Sequence, residues 1–335
     1  MKIFRQHSAI RRFRAGAFAA LSLLGASALF AANAHAEPMP VVTSFTILAD
    51  MTRQIGGERV QVHSLVGENG NAHAFQPSPS DARRLGSARL VIINGLGFEG
   101  WIERLVRASG YSGKVAVASA GIKALDMPEG CPHHHHGEHD HDHAHHHDHD
   151  HDHGHSHAHG GSDPHAWQDA GNALQYVDNI TAALSEADPD GKALYASNAE
   201  RYKGEIKALD AAIRQAFAAL PEARRRVVTS HDAFAYFGRA YGMKFIAPLG
   251  INSEVEPSAR EVGWLIRQIR QEQIPAVFME NITDPRLIER ISKESGARLG
   301  GTLYSDSLSD KNGPAPTYLK MMRYNADTLS AALKP

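Results

Sequence analysis

Three histidines stand in sequences that could build a metal site. Outside the first 36 residues and a histidine-rich segment, the chain contains only His63, His73, His165 and His231. His63 falls within the alternating run VQVHSLV, which predicts a structural histidine in a strand, whereas the others stand in the turn-like sequences GNAHAFQPSPSD, DPHAW and TSHDAF. Ligands of open α/β sheets bind beyond the carboxyl ends of strands, where such turns converge. Each histidine alone could be a loop residue bonded to backbone or water, but together they favour a metal site.

A carboxylate could complete this set. Asp306 follows a predicted strand in GTLYSDSLS, and three histidines with one aspartate form a tetrahedral group that suits Zn²⁺. A second carboxylate in place of His231 would instead favour Mn²⁺. The alternative role for Asp306 is a cap at a strand-to-helix turn. Glu280, in FMENITD, could be a ligand or support one, but a cap for the next helix is the preferred interpretation.

The elements that must position these residues alternate between strands and helices. Strand candidates in the first half are VVTSFT, VQVHSLV, RLVIING and KVAVAS, with helical patterns between them. The same alternation resumes later with RRVVTS, MKFIAPLG, PAVFMEN and ARLGGTLYS. This order predicts an α/β fold in which two lobes each contain a parallel-type sheet flanked by helices.

A long helix is predicted between the two halves. The run PDGKALYASNAERYKGEIKALDAAIRQAFAAL has no internal proline and starts at an Asp188-Pro189 signal. A helix of about thirty residues would reach on the order of 45 Å, more than one small domain needs, so we interpret it as a rigid strut. The predicted organisation is an N-terminal lobe over residues 37–187, a linking helix over 188–220 and a C-terminal lobe over 221–335.

Residues 131–161 are dominated by histidine and aspartate. This segment lies in the middle of the chain, which argues against an expression tag, and it has no apolar periodicity, so we expect a disordered or loosely ordered loop. It is either an accessory metal-binding element or a solvated spacer. Cys131 borders it as a soft ligand or a solvated thiol, and as the only cysteine it excludes an intrachain disulfide. The sixteen candidate accessory ligands are His133, His134, His135, His136, His139, His141, His143, His145, His146, His147, His149, His151, His153, His155, His157 and His159.

The N-terminus predicts export from the cytoplasm. Basic residues precede the apolar run AGAFAALSLLGASALFAANA, and AHA stands directly before Glu37, as expected for a signal peptide cleaved after Ala36. No cysteine stands at this position, which argues against a lipid anchor and favours a soluble protein of a Gram-negative periplasm. An uncleaved membrane anchor is the alternative. A formal net charge of −2 provides no basic surface for nucleic acid.

Five motifs in this order resemble one family of transport proteins. AHAFQPSPSDARRL, DPHAWQD, TSHDAFAYFGRAYG, EPSAR and LYSDSLS are similar to those of zinc-binding solute-binding proteins of ABC importers, the ZnuA type within the TroA-like cluster. The resemblance implies two α/β lobes joined by a rigid helix, with metal held in the cleft by His73, His165 and His231. It implies Asp306 as fourth ligand, a position that other members fill with water or another acid. Zinc members carry a histidine- and aspartate-rich loop here, and the cleft disulfide of some cannot form in this chain.

The expected function follows from that resemblance. The protein would not be an enzyme; it would capture periplasmic Zn(II) as transported ligand and deliver it to a cognate ABC permease with a cytoplasmic ATPase. The loop would gather or sense zinc. A periplasmic zinc chaperone is a further candidate partner, and a monomer is expected. The alternatives are a metal-storage protein or adhesin of the same fold, and a secreted zinc hydrolase, for which the sequence has no H-E-x-x-H motif.

Overall fold

The computed structural model describes residues 37–126, 161–250 and 256–334. The predicted signal peptide over residues 1–36 lies outside this part of the chain. Cys131 and the sixteen loop histidines between 133 and 159 also lie outside it. The expectations for these residues therefore stay predictions.

The first sheet is parallel, with the strand order β2-β1-β3-β4. Val41 and Val42 of β1 and Val91 of β3 are buried, which fits the near-continuous apolar runs of strands covered on both faces. Three helices connect the strands in the predicted order. The bounds are β1 Met39–Thr43, α1 Thr46–Gly56, β2 Val60–Ser64, α2 Pro79–Gly86, β3 Leu90–Ile93, α3 Ile102–Ser109 and β4 Lys114–Val117.

The second sheet repeats this arrangement, with the parallel strand order β6-β5-β7-β8. The repeated strand and helix pattern of the two halves therefore forms two sheets of the same topology, and the predicted α/β fold is confirmed. The bounds are β5 Arg226–Val228, α6 Ala235–Tyr241, β6 Lys244–Ile246, α7 Ala259–Gln271, β7 Ala276–Glu280, α8 Arg286–Ser295 and β8 Arg298–Leu303.

One long helix joins the two lobes, as predicted. Helix α5, Lys192–Ala218, has 27 residues and spans about 40 Å. It packs against α1 and α4 of the first lobe and against α6 and α9 of the second. The remaining bounds are α4 Ala170–Ala187 and α9 Tyr318–Leu333. No helix in the described part of the chain has both the length and the apolar character needed to span a bilayer.

The start of α5 differs from the prediction. Pro189–Gly191 form a short 3₁₀ turn, and the helix begins after it. The carboxylate of Asp188 accepts two hydrogen bonds of 2.8 Å from Arg59 and a third from the hydroxyl of Tyr195. Its oxygens are thus bound to side chains and do not cap the helix.

One hydrophobic core passes through both lobes. It contains buried residues of the first sheet, of the helices between the lobes and of the second sheet, with Val42, Tyr176, Tyr202, Phe278 and Met321 as examples. A smaller cluster lies between the second sheet and helices α7 and α8. The two sheets are therefore held together by shared apolar packing as well as by α5.

Candidate metal centre

His73, His165, His231 and Asp306 converge on one point. Each offers one ligand atom, and these four atoms all lie within 4.8 Å of one another. The side chains of His165, His231 and Asp306 are fully buried, and that of His73 is 6% exposed. Oδ2 of Asp306 lies 3.2 Å from Nε2 of His73 and 3.3 Å from Nε2 of His231, while Oδ1 lies 3.5 Å from Nε2 of His165.

The carboxyl ends of the two sheets supply these residues. His73 lies in the segment between β2 and α2, while His231 and Asp306 follow β5 and β8 directly. His165 precedes a 3₁₀ turn, Ala166–Gln168, that leads into α4. Two residues thus come from each lobe, and parallel strands bring the carboxyl ends that carry His73, His231 and Asp306 to one edge of each sheet.

A capping box fixes the helix that follows His73. The hydroxyl of Ser78 accepts from the backbone N–H of Asp81, and the carboxylate of Asp81 accepts from the backbone N–H of Ser78. The segment itself is bent by Asn71, whose side-chain oxygen accepts a 2.9 Å hydrogen bond from the backbone N–H of His73. This turn chemistry orients the backbone from which the imidazole reaches the centre.

Asp306 is not a helix cap. The helix that follows it, α9, is capped by Thr317, whose hydroxyl accepts from the backbone N–H of Lys320. Among the described residues, neither oxygen of Asp306 has a donor in hydrogen-bond geometry, although three imidazole nitrogens surround them. A buried carboxylate is costly without compensation, and a metal cation would provide it.

Two further carboxylates stand behind the histidines. Oδ1 of Asp163 lies 2.8 Å from Nδ1 of His165 and accepts a 2.9 Å hydrogen bond from its backbone N–H. Oε2 of Glu280 lies 2.6 Å from Nδ1 of His231, and Oε1 accepts a 2.8 Å hydrogen bond from the backbone N–H of that residue. The contact of Asp163 favours a proton on Nδ1 of His165 and leaves the lone pair of Nε2 for a metal. Oε2 of Glu280 and Nδ1 of His231 are close but not in hydrogen-bond geometry, so this carboxylate acts on the ring mainly through its charge.

The sequence interpretation missed one of these carboxylates and misjudged the other. The sequence contains a signal for Asp163, because a carboxylate two residues before His165 in DPHAW is close enough to contact that histidine. Glu280 is the last residue of β7 and contacts His231, so the prediction that it caps the next helix is wrong. Helix α8 begins at Arg286, and no local pattern reveals the contact of Glu280 with a histidine in another strand's loop.

Nearby carboxylates raise the pKa values of two histidines of the centre. Burial lowers the pKa of His165, but the charge of Asp306 and the hydrogen bond with Asp163 outweigh it and raise the pKa to about 9. The pKa of His231 also lies well above its ordinary value, because Glu280 and Asp306 outweigh burial. Burial lowers the pKa of His73. Without metal the centre therefore holds protons that a cation would replace.

Aromatic rings enclose the first-lobe side of the centre. The ring of Phe98 lies 4.8 Å from that of His73 and 4.9 Å from that of Trp167, measured between centroids. Trp167 also links the two lobes, because its indole N–H donates a 3.0 Å hydrogen bond to the carbonyl of Ser305, which also accepts from Gln168. The backbone beside Asp306 is therefore bonded directly to the segment that carries His165.

His63 remains apart from this group. It pairs with Val42 within the first sheet, and its Nε2 lies 3.0 Å from a guanidinium nitrogen of Arg84. The prediction that it is a strand histidine is confirmed.

Comparison with known proteins identifies the family. Residues 41–332 match the family described as "Zinc-uptake complex component A periplasmic". The chain belongs to this family. It is 35% identical to the iron-binding protein YfeA of Yersinia pestis over 92% of this chain and 91% of that protein. It is 32% identical to the manganese-binding lipoprotein MntA of Halalkalibacterium halodurans over 89% of each.

Solved structures show the same architecture. The periplasmic zinc binding protein TroA from Treponema pallidum superimposes with a TM-score of 0.77 at 26% identity, covering 89% of this chain and 100% of that one. The Mn-bound periplasmic metal binding protein from Candidatus Liberibacter asiaticus gives 0.73 at 26% identity, covering 88% and 100%.

Membership in this family determines the class of function. Its members are metal-binding, substrate-binding proteins of ABC transporters, which work with a permease and an ATPase. They are not enzymes, so that prediction is confirmed and the alternative of a secreted zinc hydrolase is wrong.

Proposed function

We propose that this protein captures Zn(II) outside the cytoplasm and delivers it to a cognate ABC permease whose ATPase lies on the cytoplasmic side. The observation that carries the proposal is the buried group of His73, His165, His231 and Asp306, with four ligand atoms within 4.8 Å of one another. Zn²⁺ is bound in most protein sites by four nitrogen, sulfur or oxygen ligands in tetrahedral geometry. Four side chains of this kind would form one such site.

The balance of ligand types supports zinc as the metal. Three imidazoles and one carboxylate form a nitrogen-rich set, whereas manganese sites are richer in oxygen. Relatives of this chain are named for iron and manganese binding, so the metal has to be tested directly. Affinity alone does not decide, because nitrogen sites generally bind Zn²⁺ more tightly than Mn²⁺ or Fe²⁺.

Binding is tested in the full-length protein after the sixteen loop histidines are replaced by asparagine, which leaves the proposed centre intact. We expect one tight zinc site by competition with a chromophoric chelator. His73→Ala, His165→Ala and His231→Ala should each weaken it, while His63→Ala, the matched control, should not. Retention of the site in all three variants would refute the assignment.

Transport is tested in cells that lack the gene. We expect the gene to restore growth under zinc limitation, but not under manganese or iron limitation, and only when the permease is present. Rescue that does not need the permease would instead support the alternative of a metal-storage protein or adhesin. Rescue under manganese limitation alone would refute zinc as the transported ion.

The histidine-rich segment, residues 131–161, is proposed as an accessory that gathers or senses zinc. Several weak sites near the centre would raise the local zinc concentration, an effective-concentration effect. Zinc loading in the presence of a chelator, compared between the parent and the variant with asparagines at the sixteen positions, measures this role. Equal loading rates and equal uptake at limiting zinc would show that the segment is only a spacer.

The remaining parts of the proposal concern processing and organisation. Cleavage after Ala36 would release a periplasmic, monomeric protein that begins at Glu37, with a periplasmic zinc chaperone as a candidate donor. N-terminal sequencing and light scattering of the periplasmic protein test cleavage and oligomeric state. We retain residues 37–187 and 221–335 as the lobes and 188–220 as the link between them. Limited proteolysis would test these bounds.

A further inference from the structure

The residues on either side of the histidine-rich segment are bonded to each other beside the proposed metal centre. The backbone N–H of Asp163 donates a 2.9 Å hydrogen bond to the carbonyl of Leu125. Asp126 and Ser162 form an antiparallel bridge next to it. We call these four residues the stem. They pair with each other, so the chain returns after the segment to the place where it left. The stem ends in Asp163, the carboxylate that contacts His165.

A tyrosine of the second lobe bonds both strands of the stem. Tyr236 lies on α6, and its hydroxyl accepts a 2.9 Å hydrogen bond from the backbone N–H of Leu125 and donates a 3.0 Å hydrogen bond to the carbonyl of Asp163. The residue is fully buried, and the guanidinium of Arg239 lies 5.2 Å from its ring centroid. One hydroxyl thus connects the second lobe with the chain on both sides of the segment.

We propose that Tyr236 is a positioning residue for metal binding, which acts on His165 through Asp163. This inference rests on the proposed function. The hydroxyl of Tyr236 fixes the carbonyl of Asp163, and the carboxylate of the same residue contacts both the backbone N–H and Nδ1 of His165. A displacement of Asp163 therefore turns the imidazole, and Nε2 of His165 moves relative to Asp306.

Through this connection, a movement of the second lobe would change the position of His165, a proposed metal ligand from the first lobe. Tyr236 belongs to α6, whereas His165 precedes α4, and hydrogen bonds connect them through Asp163. It is separate from the hydrogen bonds of Trp167 and Gln168 to Ser305. A small shift of the second lobe during metal release would therefore act on His165 through two sets of hydrogen bonds, those made by Tyr236 and those made by the carbonyl of Ser305.

The test is Tyr236→Phe in the full-length protein with asparagines at the sixteen loop positions. This change keeps the ring and leaves the carbonyl of Asp163 and the backbone N–H of Leu125 without their partner. The matched control is Tyr241→Phe, on the same helix, which removes a 3.0 Å hydrogen bond to Asp210 instead. Zinc release is followed by stopped flow with a chelator, and ¹⁵N-histidine NMR of the zinc-loaded protein reports the Nδ1–H resonances.

Of the two hydrogen bonds that Tyr236→Phe removes, only the one to the carbonyl of Asp163 acts on His165, so we expect zinc release about two- to tenfold faster, the effect of that bond. The Nδ1–H resonance of His165 should move, while that of His231 should stay in place, and Tyr241→Phe should match the parent in both measurements. A parent rate and an unmoved resonance in Tyr236→Phe would overturn the inference, as would an equal acceleration in both variants. Failure of the parent to bind zinc would instead overturn the proposed function.

Discussion

Replacement of Glu280 by glutamine tests how far the centre depends on the carboxylates behind its histidines. Glu280 is 2% exposed and does not belong to the group of four candidate ligands. Each of its oxygens faces one nitrogen of His231, with Oε1 2.8 Å from the backbone nitrogen and Oε2 2.6 Å from Nδ1. Glutamine keeps the size of the side chain but has only one oxygen. In either orientation, its NH₂ group must therefore face one of the two nitrogens of His231.

The magnitude follows from this geometry. Loss of a hydrogen bond to a charged group costs about 1.5–3 kcal/mol, and each 1.4 kcal/mol corresponds to about tenfold in affinity. Changes to the partners of metal-binding histidines lower metal affinity by about 10- to 100-fold. We therefore expect Glu280→Gln to bind zinc about 10- to 100-fold more weakly than the parent.

The assay is competition for zinc with a chromophoric chelator, with urea unfolding of the metal-free protein measured in parallel. Glu289→Gln, which removes the same charge from an exposed position of α8, serves as the matched control and should leave the affinity unchanged. An unchanged affinity in Glu280→Gln would refute the reasoning. An equal loss in Glu289→Gln would show that only net charge matters.

Three further predictions concern the centre and the fold. Asp306→Asn should lower zinc affinity by about 100-fold or more in the same competition assay, because it removes the charge of one of the four proposed ligands and not only of a residue that supports one. Affinity should rise with pH over the range below about 9, where zinc must displace the proton of His165, whose pKa is raised to about 9; titrations at several pH values check this. Ser78→Ala should cost about 0.5–2 kcal/mol in urea unfolding through loss of the α2 cap.

Shared packing between the lobes restricts how metal can leave. The main core contains residues of both sheets and of α5, so a wide opening would expose apolar surface at a cost of about 25 cal/mol per Å². Hydrogen bonds between the lobes add to this restraint: Thr46 of α1 accepts from the backbone N–H of Leu308, and Asp50 accepts from that of Tyr318. We therefore expect small lobe shifts and loop movements during release.

The sequence by itself determined the elements and the histidines. Strands and helices follow from apolar periodicity and capping residues, which act over a few positions, so the succession along the chain of the eight strands in its described part could be predicted. His73, His165 and His231 stood out because each lies in a turn after a strand or before a helix. His63 could be set aside for the same kind of local reason, its alternating strand pattern.

Tertiary structure decided what surrounds those histidines. Whether Asp306 caps a helix or meets three imidazoles depends on the packing of two sheets, and the start of α5 depends on the contact of Asp188 with Arg59, a residue far away in sequence. Glu280 contacts His231 because β5 and β7 are neighbours in the second sheet. Local propensities carry no information on such pairs, because the free energy that joins them arises only when distant segments are buried together.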